Sequence, residues 1–136
     1  MGRSVSYLNN SVFVLYFPFE CEEGDDFAWD DMIDSLQCAI KRRLPSYYPT
    51  DKWGGREERI ILENSLLSIA VAEYCGLVSL SVAPRNNDYD AWHESFALRH
   101  ANQIKGTLEK ILNDLGLTNL RKIGTASNGE AFFQKA

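Results

Sequence analysis

Apolar and polar positions alternate with two different periods along this chain, and the changes of period mark its elements. Val12-Phe13-Val14-Leu15-Tyr16-Phe17 is an unbroken β-branched and aromatic run. It predicts a strand apolar on both faces, and so a central one, ended by Pro18. Trp29, Met32, Ile33, Leu36, Ile40 and Leu44 then recur at helical spacing and predict a helix from about Phe27 to Leu44. Pro45 stops it, because the residue before a proline is pushed out of the α region.

The stretch Pro45 to Arg56 carries two prolines, two glycines and three large aromatics without apolar periodicity. It is expected to be a long ordered loop, a kind of segment that often carries function. A period of two follows. Arg59 to Glu63 leads to a turn at Asn64-Ser65. Leu66 to Glu73 sets Leu67, Ile69 and Val71 against Ser68, Ala70 and Ala72. After a turn at Tyr74-Cys75-Gly76, Leu77 to Val82 sets Val78, Leu80 and Val82 against Ser79 and Ser81. These are half-buried antiparallel strands joined by tight turns. The small residues of their second face leave room for a covering helix or a groove.

Trp92, Phe96, Ile104, Leu108, Ile111, Leu112 and Leu115 predict a second helix from about Ala91 to Leu115, with Gly116 at the position of a C-terminal cap. Leu120 to Thr125 and Glu130 to Gln134 flank Ser127-Asn128-Gly129, a strong hairpin signal because Asn and Gly both tolerate positive φ. The expected order is β-α-β-β-β-α-β-β. Its economical packing is a single α+β domain over residues 1–136, one mostly antiparallel sheet with two helices on one face.

Composition narrows the chemistry. The 136 residues are 45% hydrophobic, which suffices for one core without staples. No apolar run approaches the roughly 20 residues that span a bilayer, and no signal-peptide core follows the N-terminus, so a cytoplasmic protein is expected. Cys21, Cys38 and Cys75 are odd in number and form no Cys/His cluster. Reduced thiols are expected, with no structural metal and no cofactor. The net charge is −5, and eight carboxylates fall between Glu20 and Asp34 with no base among them. Acids at the start of the first helix and Lys41-Arg42-Arg43 at its end complement the helix dipole. The same acidic segment can steer toward a basic partner.

The candidate contact residues are Tyr47, Tyr48, Trp53, Gly54, Gly55 and Arg56. Trp, Tyr and Arg dominate binding hot spots, and paired glycines shape a loop. No Gly-Lys-Ser/Thr follows, so this is not a phosphate loop. Glu73, Tyr74 and Cys75 form a secondary candidate, an acid and a thiol beside a glycine. His93 and His100 lie seven apart, about 10 Å along a helix, too far to share one metal ion. Glu57, Glu58 and Glu63 with Arg56 and Arg59 resemble charges that protect a sheet edge.

Three segments carry a resemblance. They are Asp51-x-Trp53-x-Gly55-Arg56-Glu57 with Leu62-Glu63-Asn64, Glu73-Tyr74-Cys75-Gly76-Leu77-Val78, and Gly124-Thr125-x-Ser127-Asn128-Gly129-Glu130. With the start Met1-Gly2-Arg3-Ser4-Val5-Ser6-Tyr7, they resemble small proteins of unassigned function carried by phages and other mobile elements. The resemblance implies a small inhibitor or adaptor of host machinery. The leading expectation is a non-enzymatic protein-binding module. One alternative is a small enzyme, with Arg56 holding an anion and Cys75 or Glu73 doing the chemistry. The other is a binder of single-stranded nucleic acid, stacking bases on Tyr47, Tyr48 and Trp53 beside Lys52, Arg56 and Arg59, although the net acidity weighs against nucleic acid.

Overall fold

A computed structural model describes residues 11–20, 26–53, 58–74, 76–85 and 91–135, with the backbone alone for Trp53, Tyr74 and 91–94. Its elements are β1 (Phe13–Pro18), α1 (Asp26–Arg43), β2 (Tyr48–Trp53), β3 (Arg59–Glu63), β4 (Leu67–Tyr74), β5 (Leu77–Pro84), α2 (Ala91–Asp114), β6 (Leu120–Thr125) and β7 (Ala131–Lys135). The strands form one antiparallel sheet in the order β2-β3-β4-β5-β1-β6-β7. Both helices pack on one face of it. The anticipated order of elements is present, with one further strand, β2, inside the segment read as a loop.

Register assigns the faces. Leu15 pairs with Leu80, Leu80 with Val71, and Ile69 with Val82. Phe17, Leu15, Val78, Leu80, Val82, Leu67, Ile69 and Val71 therefore share the helix-covered face, and all are buried. Against them lie Met32, Ile33, Leu36 and Ile40 of α1, and Ala97, Ala101, Ile104, Leu108, Ile111 and Leu112 of α2. The small positions Ser68, Ala70, Ala72, Ser79, Ser81 and Ala83 share the opposite face, and these are buried as well.

Gly116 ends α2 at φ 75°. Leu117 N donates to Leu112 O at 2.8 Å and Gly116 N to Asn113 O at 3.0 Å, the paired bonds of a Schellman cap. Gly129 at φ 88° turns the β6–β7 hairpin, as the Asn-Gly pair predicts.

Two irregularities at one end of the sheet position the site. Between β3 and β4 the pairing steps from Ile60↔Ala70 to Leu62↔Ile69, so Ile61 is an extra residue. Between β2 and β3 it steps from Pro49↔Leu62 to Lys52↔Ile60. Bulges leave backbone groups outside the ladder. Here the Gln37 amide of α1 satisfies two of them, donating from Nε2 to Thr50 O at 3.1 Å and to Ile61 O at 2.9 Å. Gln37→Leu keeps the helix and the volume but leaves both carbonyls without that donor. A loss of about 2 kcal/mol is expected, measured as the shift in urea unfolding free energy.

Candidate functional site

The bulge at Ile61 decides where Glu63 points. In an unbroken ladder from Ile60↔Ala70, Glu63 would lie opposite Leu67 and face the apolar core. The extra residue shifts it by one, so it pairs with Ser68 on the second face. Tyr48 pairs with Glu63, and Lys52 with Ile60, so both β2 residues also lie on that face. Arg85 follows β5, and its N donates to the O of Leu66, the residue before β4, at 2.9 Å.

These residues form one cluster. Glu63 Oε1 accepts from Lys52 Nζ at 2.6 Å. Its Oε2 accepts from Ser68 Oγ at 2.9 Å and lies 3.5 Å from Arg85 Nε. Arg85 also donates to Asn64 O at 3.1 Å and rests its guanidinium 5.9 Å from the centre of the Tyr48 ring. The Glu63 side chain is 4% exposed, against 52% for Lys52 and 36% for Arg85. Burial pushes its carboxyl up, but the bonds from Lys52 and Ser68 and the charges of Arg85 and Lys52 outweigh that and hold it below the ordinary Glu value. A buried anion thus fixes two cations and, through one of them, an aromatic ring at the surface. Further along the face, Glu58 is buried and its Oε2 accepts from Ser81 Oγ at 3.0 Å.

The structure separates the two candidate tyrosines. Successive side chains of an extended chain point to opposite faces, so Tyr47 and Tyr48 cannot serve one surface. Tyr48 is 41% exposed. Tyr47 is fully buried on the helix side and stacks on His100, with centroids 6.1 Å apart and an interplanar angle of 9°. Burial pushes its phenol far above the usual value, and the nearby Asn64 side chain offsets part of this. No hydrogen bond of good geometry reaches its hydroxyl. The expectation that Tyr47 is a contact residue is thereby corrected: it is core.

Trp53 pairs with Arg59 at the end of β2. Gly54, Gly55 and Arg56 lie outside the described residues, as do Cys75 and Glu57, and so do the side chains of Trp53, Tyr74 and His93. Glu73 is exposed and accepts from Gly76 N at 3.3 Å. The topology brings Trp53 and Glu73 to one end of the sheet. Trp53 pairs with Arg59, and Arg59 with Val71, so two strand spacings, about 10 Å, separate β2 from β4. Two of the three cations expected to serve nucleic acid are engaged within the chain, and the third, Arg56, lies outside the described residues. Lys52 binds Glu63, and Arg59 binds Asp51 at 2.9 Å and Asp30 at 3.6 Å.

Glu63 is not an edge charge, because β2 covers β3 on that side, and Glu58, just before β3, is buried. Sequence reasoning missed this cluster. Its available signal was the Ser/Ala half of each central strand, which turns out to be the floor beside these carboxylates. Two adjoining shallow hollows of about 300 and 290 Å³ run along α1 and share Ser35 and Leu115, with exposed Cys38 in the first. Among the described residues no three His, Cys, Asp or Glu side chains gather as a metal site would require, and no helix is long and apolar enough to cross a membrane. No family model, curated protein or solved structure matches the chain.

Proposed function

We propose that this chain is a non-enzymatic protein-binding module that engages its partner through the surface of Tyr48, Lys52 and Arg85. The observation that carries the reading is the exposed Tyr48 ring with the Arg85 guanidinium over it, both anchored by buried Glu63. A contact surface held rigid before binding loses little entropy on association. Tyr and Arg are also the residue types that supply most interface energy. The acidic stretch from Glu20 to Asp34 serves electrostatic steering, and it favours a partner with a basic face. In line with the resemblance to small proteins of phages and mobile elements, the chain acts in the cytoplasm as an inhibitor or adaptor of host machinery.

Immobilised wild type, Tyr48→Ala and Phe27→Ala test this reading in affinity capture from host cytosol. Phe27 is 81% exposed and lies away from the cluster, so its variant is the control. The partner should be recovered by wild type and by Phe27→Ala. Tyr48→Ala should weaken it about 30-fold, the effect of losing roughly 2 kcal/mol at a hot spot. Equal recovery by all three removes the reading.

A further inference from the structure

The sheet has two edges, and they are built differently. β2 carries Pro49, which lacks an N–H, and the irregular pairing between Pro49 and Lys52, devices that discourage another strand from adding. β7, Ala-Phe-Phe-Gln-Lys, has neither a proline nor a bulge of its own. Among the described residues no strand lies beyond it. Alternate residues of an edge strand direct N–H and C=O groups outward as a template for pairing. The hairpin is also held apart from the main sheet, since β6 pairs with β1 only at Tyr16↔Leu120.

The side chains around this edge have a definite chemistry. Arg121, Lys122 and Lys135 are exposed and face one acid in the hairpin, exposed Glu130, so a chain of net charge −5 presents a basic arm. Register sorts the two faces. Leu120 pairs with Tyr16 and with Lys135, and Lys122 pairs with Phe133, whose ring lies 5.0 Å from that of Tyr16. Lys122 and Lys135 therefore share one face of the hairpin with anchored Phe133. Phe132, 48% exposed, is on the other. A strand added to β7 would meet Lys122 and Lys135 on one side, and on the other an open aromatic ring together with Arg121, which pairs with Gln134 on that face.

We propose that the β7 edge takes up an extended peptide strand in which acidic and apolar residues alternate, the acids over Lys122 and Lys135 and the apolar residues over Phe132. Main-chain bonds supply the affinity and the alternation supplies the selectivity. A second copy of this chain is a poorer occupant. β7 itself carries Lys135 and no acid, so a second β7 would offer nothing to lie over Lys122 and Lys135.

The test uses the full chain and three labelled, end-blocked peptides of about ten residues, alternating valine with glutamate, lysine or serine. Binding is read by fluorescence anisotropy, and amide hydrogen exchange is followed in β7 and β2. The glutamate peptide should bind about tenfold more tightly than the serine peptide, and the lysine peptide more weakly than both. It should slow exchange in β7 and leave β2 unchanged. Lys122→Glu with Lys135→Glu, both at exposed positions, should reverse the order of the glutamate and lysine peptides while circular dichroism stays as in wild type. Equal binding of the three peptides, or no protection of β7, overturns the proposal. So does protection of β7 by self-association without peptide, seen in sedimentation, or by an oligouridylate in place of the peptide.

Discussion

Replacing Lys52 and Arg85 together by methionine is expected to cost about 3 kcal/mol of stability at pH 7, more than removing the anion they surround. Glu63 is 4% exposed and would keep only Ser68 as a hydrogen-bond donor. A buried charge stripped of its partners costs about 3–5 kcal/mol, and the low end applies here because the cluster lies beside the sheet edge, where water can approach. Glu63→Gln leaves two cations that already reach solvent, so a loss of only about 1 kcal/mol is expected. The pH dependence separates this from simple loss of packing. In wild type the carboxyl is held below its unfolded value. Its contribution is therefore complete above the unfolded Glu value and is lost as pH falls through the depressed folded one. Without the cations, burial dominates and pushes the carboxyl above its unfolded value. The double variant should then recover part of its deficit on acidification, as the buried acid takes up a proton. Urea midpoints at pH 7 and pH 5 for wild type, the double variant and Glu63→Gln test this. A deficit that is independent of pH would mean that the three side chains act through packing alone.

The parts of the fold legible in the sequence are those where one local signal decides the outcome. The apolar run at Val12 to Phe17 lies inside the sheet, between β5 and β6. The alternation from Leu67 to Val82 sorts its residues to two faces, and Gly116 and Gly129 sit at positive φ. The site was less legible because it depends on two bulges. Nothing local in Ile60-Ile61-Leu62 says which isoleucine is extra, yet that choice turns Glu63 from the core to the polar face. Pro49 had the opposite effect. It reads as a breaker, but an edge strand tolerates proline because one side of its ladder is unused. Reading 45–56 as a loop then hid the alternation that sends Tyr47 inward and Tyr48 outward. The role of Gln37 carries no local signal for a related reason. Its two acceptors lie 13 and 24 residues away and exist only once both bulges have formed.

Tyr47 distinguishes a core side chain from a contact residue most sharply, because two substitutions there should act in opposite senses. Tyr47→Ala removes a fully buried aromatic ring that stacks on His100 between the sheet and α2. It should cost about 3–5 kcal/mol, the usual range for truncating a large core aromatic. Tyr47→Phe keeps the ring and deletes a hydroxyl that lies in the interior without a well-formed hydrogen bond. Removing a buried polar group that gains little from its surroundings relieves its desolvation cost, so this variant should match wild type or exceed it by up to about 1 kcal/mol. Urea unfolding of both proteins at pH 7 reads the pair. The stability of Tyr47→Phe should also fall less steeply through alkaline pH than that of wild type, the remaining fall coming from Tyr16, whose phenol burial also raises. The Tyr47 phenol is raised in the folded protein, so the unfolded chain ionises first and is favoured as pH climbs past the ordinary tyrosine value. A Tyr47→Phe protein destabilised by several kcal/mol would show that the hydroxyl is bonded after all, and a stable Tyr47→Ala protein would return this ring to the surface.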